Sequence, residues 1–330
     1  MNLSVIICCY NSEDRLRPTL SALANQTTEN VQWEIILVNN NSNDNTSEVA
    51  QQLWDEFNCA VPFEIVDEQE PGLSYARRKG VSVALGEYIL FCDDDNWLNE
   101  NYIANACQIM DNDPLVGALC GKNIAVYEKQ PDEFVIQYEE AFAVGHNNLD
   151  SCYLDGRRAP WGAGLVLRKQ FLDKLESLSF LSLLSDRKGS ELSSGGDTEL
   201  CYLLRLCCYK WKYDTLLELK HYIPKERSNF EYLKKLYYGF GKANLVIDWY
   251  YKYGVMECFK QEQPSWLKVY FNQLFQNLIS QNSNKNVKVN ALNKSYSKGY
   301  MDQLKMERVE FEKKATYIKE IVNQMLLDKP

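Results

Sequence analysis

Three adjacent carboxylates, Asp93, Asp94 and Asp95, directly follow the apolar run of residues 88–92. Neighbouring negative charges repel one another strongly unless a cation compensates them. Oxygen ligands with open coordination positions suit Mg²⁺ or Mn²⁺, which can bridge to a diphosphate and offset charge on a leaving group. The triplet therefore predicts a divalent metal site. An acidic turn that caps the helix near residue 99 is the structural alternative.

Two further polar clusters follow apolar runs in the same way. Tyr10 and Asn11 come after residues 3–9, and three consecutive asparagines begin at Asn39 after residues 33–38. Ligands of a parallel sheet bind outside the carboxyl ends of its strands. If these runs are parallel strands, we expect the polar clusters and the aspartate triplet to share one site.

The N-terminal part of the chain alternates short apolar runs with helix-like segments. This alternation predicts the α/β class, with a mostly parallel central sheet flanked by helices. The predicted strands cover residues 3–9, 33–38, 63–66, 88–92 and 116–120, and the predicted helices cover residues 13–24, 46–57, 73–85 and 101–110. Loops are predicted over residues 128–160 and 185–196, where the periodicity fades.

Composition excludes one broad class of partner. The 330 residues carry a formal net charge of −9, and 45% of them are hydrophobic, which suits a globular chain of two domains. Nucleic-acid binders usually cluster Lys and Arg against phosphates, so no nucleic-acid partner is expected. Any phosphate bound here should need a metal or local dipoles.

The cysteines and the N-terminus predict a cytoplasmic protein. Eleven cysteines contain no Cys-x-x-Cys pair, and several lie in apolar runs, which indicates reduced thiols rather than a disulfide or zinc framework. The first residues lack the basic and long apolar regions of a signal peptide. No segment approaches the roughly 20 apolar residues of a membrane span.

The C-terminal residues 229–330 have a helical and aromatic character, with a polar linker predicted over residues 280–298. An apolar stripe then repeats every seven residues from Leu304 to Met325. It predicts one long amphipathic helix, which either docks on the body or forms a homodimer with another copy. The aromatic segment 266–271 fits either burial or peripheral contact with a membrane surface.

Four strings resemble, in order and spacing, those of the family-2 inverting glycosyltransferases with the GT-A fold. They are residues 4–11 (SVIICCYN), 36–44 (ILVNNNSND), 72–77 (GLSYAR) and 91–95 (FCDDD). The resemblance covers residues 1–240. It implies a GT-A domain at 1–228, with a nucleotide-binding half at 1–120 and an acceptor half at 121–228, followed by the helical C-terminal region.

The resemblance assigns residues to a nucleotide-sugar. Tyr10 and Asn11 would line the nucleobase and ribose, with Glu13 nearby at a helix start, where pairing with the helix dipole is its other explanation. The family commonly has an aspartate on the nucleobase where this chain has Asn39. An amide both donates and accepts, so Asn39 can still read a base edge, with a UDP-sugar favoured. Arg77 resembles the family's base- or phosphate-facing arginine.

The resemblance also assigns the metal site. Asp93 would contact ribose or metal, Asp95 would ligate the metal, and Asp94 is the least defined of the three. His221 looks like the family's late histidine, which completes the metal shell or meets the diphosphate. The expected cofactor is therefore Mn²⁺ or Mg²⁺.

The acceptor side follows from three more matches. Trp161, Gly162 and Ala163 resemble the family's stretch beside the acceptor, where small residues admit substrate, although Trp161 equally fits core packing. Asp197 lies where the family places its catalytic base; a helix N-cap is its structural alternative. The residue before Asp197 is usually acidic but is glycine here. Lys225 and Arg227 could neutralise the diphosphate.

The sequence therefore predicts an inverting glycosyltransferase that moves a sugar from a nucleoside-diphosphate sugar to a glycan or lipid-linked acceptor, in cell-surface polysaccharide or glycolipid synthesis. We expect it in the cytoplasm or peripherally on the inner membrane face. Two alternatives remain: a catalytically silent nucleotide- or carbohydrate-binding scaffold, and a sugar nucleotidyltransferase. The second is disfavoured because no Gly-rich phosphate loop is found between Ile6 and Leu20.

Overall fold

The computed structural model describes residues 1–145, 149–184, 195–251, 265–280 and 286–327, without the side chains of 278–280 and 326–327. Within these ranges the strands are β1 (Leu3–Cys9), β2 (Trp33–Asn39), β3 (Phe63–Asp67), β4 (Tyr88–Asp93), β5 (Asn96–Leu98), β6 (Val116–Tyr127), β7 (Cys152–Leu154), β8 (Leu165–Arg168) and β9 (Lys210–Ile223).

The helices in the described part of the chain are α1 (Leu16–Ala24), α2 (Thr46–Phe57), α3 (Leu73–Val83), α4 (Tyr102–Asn112), α5 (Glu133–Ile136), α6 (Lys169–Ser177), α7 (Gly196–Leu206), α8 (Phe230–Tyr250), α9 (Trp266–Ser280), α10 (Val287–Met306) and α11 (Phe311–Leu327). A 3₁₀ turn spans Glu139–Phe142. The predicted loop over 128–160 therefore contains α5, this turn and β7. Most of the predicted loop over 185–196 lies outside the described residues.

The strands form one sheet in the order β3-β2-β1-β4-β8-β6-β9-β5, with β7 paired to β9. Strands β3, β2, β1 and β4 are parallel neighbours, and β6 pairs with β9 in parallel; β8 runs antiparallel to both β4 and β6. The predicted α/β fold with a mostly parallel central sheet is confirmed. Because β1, β2 and β4 are parallel, their carboxyl ends meet at one edge.

Two apolar layers cover the faces of this sheet, which is why its central strands read as unbroken apolar runs. One layer packs Leu3, Val5 and Ile7 of β1 against helices α1, α2 and α4. The other packs Ile6 of β1 with residues of α3, α7, α8, α10 and α11. The C-terminal helices thus share a core with the sheet. The division at residue 228 stays a prediction.

The C-terminal region corrects two sequence predictions. The stripe from Leu304 to Met325 does not form one helix: α10 ends at Met306 and α11 begins at Phe311, because residues 307–310 turn between them. The polar stretch predicted as a linker over 280–298 is helical from residue 287, with Asn286 capping α10 through its side chain. Residues 281–285 lie outside the described residues.

Docking of the C-terminal stripe on the body is confirmed. Phe311, Ile318 and Met325 are buried in the same core layer as α7 and α8. The stripe that suggested a homodimer is therefore covered within this chain, and a homodimer stays a prediction. None of the helices in the described ranges is both long and apolar enough to span a membrane.

Helices α8 and α10 cross at backbone contact. A Cβ on Gly241 would lie 2.0 Å from the carbonyl oxygen of Tyr296, and one on Gly299 would lie 2.0 Å from that of Tyr238. Only glycine permits so close an approach at these two positions. The crossing brings Tyr296 of α10 towards the edge of the sheet where the strands end.

Candidate functional site

A cavity of about 830 Å³ opens at the carboxyl ends of β1 and β4 and is closed on its far side by α7, α8 and one residue of α10. Eleven of the predicted site residues line it. They are Tyr10, Arg77, Asp93, Asp94, Asp95, Trp161, Gly162, Ala163, Asp197, His221 and Arg227. The topology therefore brings the predicted metal, acceptor and catalytic residues to one cavity.

Asp94 is held by the start of the first helix. Its Oδ2 accepts hydrogen bonds from Ser12 Oγ and from Arg15 Nη2, the latter at 2.6 Å. Burial raises the pKa of this carboxyl, the charge of Asp95 adds to the shift, and Arg15 opposes it. Asp94 is thus tied to the start of the first helix, and its contact with a nucleotide-sugar stays a prediction. Arg15 was not among the predicted site residues.

Asp95 is held from the other end of the chain. Its Oδ2 lies 3.1 Å from Nη1 of Arg227, and its Oδ1 accepts a hydrogen bond from Asn96 Nδ2 at 3.0 Å. The carboxylate side chain is 8% exposed and that of Arg227 is 20% exposed. A nearly buried aspartate therefore has an internal cationic partner in this structure. The expectation that Arg227 neutralises a diphosphate did not include this pair with Asp95, and it stays a prediction.

His221 reaches the triplet because β5 pairs antiparallel with β9, and the register places Asn96 opposite His221. The backbone N–H of Tyr222 donates to the Asp95 carbonyl at 2.9 Å, which fixes the two segments. As a result His221 Nε2 lies 3.4 Å from Asp95 Oδ1. The resemblance alone suggested this pairing across 126 residues of sequence, and the structure supplies its physical basis.

The ligand atoms that line this part of the cavity suit a divalent cation. Carboxylates of Asp93 and Asp95 and the imidazole of His221 face one cavity, and the buried Nδ1 of His221 has no hydrogen-bond partner among the described residues. These are the oxygen and nitrogen ligands that Mn²⁺ accepts. Within the described ranges, however, no three acidic, histidine or cysteine side chains are already gathered closely enough to hold an ion. Metal binding would require Asp95 to reorient from Arg227.

Asp197 lies in the first turn of α7 and faces Gly162 and Arg77. A Cβ on Gly162 would lie 2.7 Å from Asp197 Oδ2 and 2.9 Å from Arg77 Nη2. Gly162 therefore leaves the space that the carboxylate and the guanidinium occupy. Oδ1 of Asp197 accepts from the backbone N–H of Thr198 at 2.7 Å, which leaves Oδ2 directed at the cavity.

Arg77 is 7% exposed, and its guanidinium lies 4.9 Å from the centroid of the Phe91 ring. It stands beside Asp197, in the middle of the cavity. Since a stacked guanidinium has little freedom to move, Arg77 presents a fixed positive charge next to the candidate base. The base- or phosphate-facing role that the resemblance implies for Arg77 stays a prediction.

Four predicted residues do not line the cavity, and their side chains contact the segments around it. Glu13 Oε2 accepts from the backbone N–H of Asn45 at 3.0 Å, and Asn11 Oδ1 accepts from that of Asn43 at 2.8 Å. Asn39 Nδ2 donates to Asp67 Oδ1 at 3.0 Å, and the exposed Lys225 lies near Glu128. Helix α1 also begins at Leu16 rather than at residue 13, because Arg15 N–H closes a turn onto Ser12.

The far wall of the cavity was not predicted from sequence. It is lined by Tyr237, Phe240 and Asn244 of α8 and by Tyr296 of α10, and Asn244 Nδ2 donates to Tyr296 Oη at 2.8 Å. Aromatic faces suit the apolar faces of sugar rings. Apolar and small residues at helical spacing along α8 indicate a helix face that packs against something. The sequence could not predict what that face contacts without the fold.

Two buried thiols near the triplet are poor candidates for chemistry. Burial raises the pKa of Cys9 and of Cys92, and the neighbouring aspartates raise both further. A protonated, buried thiol is a weak nucleophile and a weak ligand. In the described part of the chain the cysteines are not joined in disulfides, and their reduced state stays a prediction. The chemistry of the cavity therefore belongs to its carboxylates.

Comparison with known proteins gives a family match. The model of the family described as glycosyl transferase family 2 matches residues 4–175 of this chain. This range includes β1 to β4, the aspartate triplet and Gly162.

Among curated relatives, the chain is 30% identical over 159 residues to the poly(ribitol-phosphate) beta-glucosyltransferase of Bacillus spizizenii, which is 45% of this chain and 25% of that protein. The chain spans less than a third of the length of the curated relatives it matches. A crystal structure of S. aureus TarS matches with a TM-score of 0.50 at 14% identity, over 92% of this chain and 55% of that one. This likeness shows the GT-A fold.

Proposed function

The chain belongs to glycosyl transferase family 2, and from this membership we propose that it transfers a sugar from a nucleoside-diphosphate sugar to an acceptor hydroxyl with inversion at the anomeric carbon. One observation carries the proposal. The Asp197 carboxylate and the Asp93 to Asp95 triplet line the same cavity, with the fixed Arg77 beside Asp197.

The carboxylate of Asp197 supplies the acid–base chemistry. In an inverting transfer a base removes the acceptor proton while the hydroxyl oxygen attacks the anomeric carbon opposite the leaving diphosphate. Oδ2 of Asp197 takes that proton, while the hydrogen bond from Thr198 N–H orients the carboxylate. Arg77 places a positive charge beside the Asp197 carboxylate and stabilises negative charge near the reacting centre.

The triplet end of the cavity receives the diphosphate. Asp93, Asp95 and His221 would hold the Mg²⁺ or Mn²⁺, and such an ion offsets the charge that develops on the leaving diphosphate. Arg227, released from Asp95, would contact the phosphate oxygens, since a guanidinium binds them in bidentate fashion. Tyr10, 49% exposed at the cavity mouth, would lie against the nucleobase. A uridine nucleotide stays our prediction.

The proposed acceptor is a glycan or polyol chain of the cell surface. The wall of Tyr237, Phe240 and Tyr296 offers aromatic faces to a sugar or polyol. A relative from Bacillus spizizenii is named a poly(ribitol-phosphate) beta-glucosyltransferase, and this name supports a polyol chain as one candidate acceptor. Nucleoside-diphosphate sugars are intracellular metabolites, so we place the enzyme in the cytoplasm.

Turnover of a donor panel tests the proposal. The native chain would be incubated with UDP-, GDP- and dTDP-sugars and mixed glycan or ribitol-phosphate acceptors, with Mn²⁺ or with a chelator. We expect release of one nucleoside diphosphate only with Mn²⁺, and a sugar on one acceptor. A donor that binds tightly without release under any condition would favour the catalytically silent scaffold. Formation of a nucleotide-sugar from a nucleoside triphosphate would favour a nucleotidyltransferase.

A further inference from the structure

Helix α9 carries two apolar rows on neighbouring faces, about 100° apart around the helix axis, and only one of them is covered. Trp266, Tyr270 and Leu274 on the inner face pack against the core layer of the body. Trp266 Nε1 also donates to the Leu304 carbonyl at 2.7 Å, and its ring stacks on Tyr270 at a centroid distance of 4.8 Å. The helix is therefore fixed in orientation on the body.

The outer face of α9 carries Leu267, Phe271 and Phe275, which are 59%, 63% and 65% exposed. Their spacing of four residues places the three side chains along one line of the helix surface. Single exposed apolar residues are ordinary on proteins, but an aligned row of two phenylalanines and a leucine marks an interaction site. We call these three residues the α9 ridge.

Helices α9 and α10 together carry a charge opposite in sign to that of the whole protein. Together α9 and α10 contain five lysines, at positions 268, 288, 294, 298 and 305, and one acidic residue, Asp302. The chain as a whole has a formal charge of −9. Lys268 lies on α9 beside the ridge, and the exposed Lys294 and Lys298 border the groove between α9 and α10.

This combination of charge and apolar surface identifies the partner. A row of apolar side chains flanked by lysines inserts into the boundary of a bilayer while the lysines meet anionic headgroups. A second copy of this chain would bring lysines against lysines, because a two-fold interface pairs the same patch on both subunits. We propose that the α9 ridge and its lysines dock the protein on an anionic lipid bilayer surface.

The proposal does not depend on the proposed transferase activity, since it concerns a surface that the catalytic cavity does not use. Docking would hold the enzyme at the membrane plane. Acceptors that are anchored in the bilayer would then be encountered in two dimensions rather than three. Binding to vesicles that contain no acceptor isolates this property from turnover.

Co-sedimentation of the full chain with lipid vesicles tests the proposal. The probes are phosphatidylcholine vesicles and vesicles that mix phosphatidylcholine with phosphatidylglycerol, at low and high salt. We expect binding to the anionic vesicles to be about tenfold stronger than to the neutral ones, and to weaken as salt screens the lysines. Equal binding to both compositions, or no binding of the native chain, would overturn the proposal.

Two variants separate the apolar and charged contributions. F271S/F275S should lower anionic-vesicle binding about tenfold, and K294E/K298E should do so by a similar factor. Matched controls are L115S, which alters an exposed leucine at another site, and K129E, which alters another exposed lysine. Both controls should bind as the native chain does.

Light scattering tests the alternative that a second copy of this chain covers the α9 ridge. If the native chain forms a dimer in solution that F271S/F275S abolishes, and vesicles bind neither form, the α9 ridge is a subunit interface and the proposal is wrong. Unchanged vesicle binding by F271S/F275S would also refute it. The native protein's own salt dependence keeps the test decisive even if a variant folds poorly.

Discussion

The two ends of the cavity are built in different ways. At the donor end, Tyr10 and the aspartate triplet each follow a strand of the parallel sheet directly. At the acceptor end, Tyr237 and Tyr296 come from two helices that cross at glycine-to-backbone contacts and are also joined by the hydrogen bond from Asn244 to Tyr296. Strand ends position residues through local periodicity, whereas a helix crossing positions them through the whole fold. The donor end could thus be anticipated from sequence, and the acceptor wall could not.

Asp94 and Asp95 show the same contrast at neighbouring positions. Asp94 is bound by Arg15 from the first helix, and Asp95 is bound by Arg227 from the segment after the last strand. One arginine belongs to the donor end, while the other arrives from the C-terminal half. We expect only the second to compete with a metal, because Asp94 stays committed to Ser12 and Arg15.

The largest expected effect is that of Asp95→Ala. It removes a metal ligand and leaves the mostly buried Arg227 without its carboxylate. We expect donor turnover to be lost and the free energy of unfolding to fall by about 2–3 kcal/mol, less than the roughly 3–5 kcal/mol typical of a broken buried pair, because relief of repulsion with Asp94 offsets part of the loss. Urea unfolding measures this.

Glu56→Ala is the matched control, since it breaks the exposed pair with Arg17 and should leave the urea midpoint unchanged. An equal loss of stability in both variants would show that the Asp95 pair has no special role.

The acceptor end is tested by Gly162→Ala. The added methyl would meet both Asp197 and Arg77, so the carboxylate must shift. We expect turnover to fall roughly 100-fold, as small misplacements of catalytic groups do, with donor affinity unchanged. Steady-state kinetics and calorimetric donor binding measure the two quantities. Gly156→Ala is the control for activity, since no atom lies within 4 Å of its Cβ, although its φ of +64° makes the substitution strain the backbone locally. Full activity in Gly162→Ala would contradict the proposed packing.

A smaller effect separates the two arginines. Arg227→Ala should raise the affinity of the donor-free protein for Mn²⁺ about tenfold. The substitution removes a positive charge that competes with the ion for Asp95, and we expect an interaction of about the size that shifts a pKa by one unit. Arg15→Ala should leave that affinity nearly unchanged. Electron paramagnetic resonance of free Mn²⁺ measures both. Equal changes in the two variants would remove the distinction between Asp94 and Asp95.

The smallest effect concerns the loop at the donor end. Although burial opposes the shift, hydrogen bonds from Thr46 and from the backbone N–H of Glu13 lower the pKa of Asp44. A lowered folded pKa stabilises the protein above the unfolded value of 3.8 and loses this contribution as pH falls below it.

Asp44→Asn should therefore be less stable than the native chain at pH 6, by less than about 1 kcal/mol because solvent screens the site. The gap should narrow towards pH 3. Urea midpoints at the two pH values give the result, with Asp14→Asn as an exposed control. A stability difference between the two proteins that widens as the pH falls would contradict the lowered pKa assigned to Asp44.

How well the sequence predicts the position of a residue depends on whether local periodicity or a contact with a distant segment fixes that position. The bounds of α2 and the start of α3 were predicted to the residue, since apolar periodicity fixes them. The strings at strand ends predicted the fold and the triplet. Asn11 and Glu13 were also expected at the ligand, which stays a prediction; their side chains accept hydrogen bonds from the loop after β2. A turn that buries no apolar residue leaves no periodic signal.

Contacts between distant segments were the least predictable. Nothing near Arg227 in sequence indicates that it pairs with an aspartate 132 residues away. The seven-residue repeat from Leu304 correctly predicted which face of the C-terminal region is buried. It could not show the turn at residues 307–310, because both helices continue the same apolar spacing across it.

The central claim is that Asp197 is the base of a transfer reaction that takes place in the shared cavity. Its most direct test compares Asp197→Asn with Asp14→Asn in donor turnover with acceptor and in donor binding by calorimetry. We expect Asp197→Asn to bind donor as the native chain does and to turn it over about 10²–10⁴-fold more slowly, the range for loss of a general base. Near-native turnover by Asp197→Asn would contradict the claim.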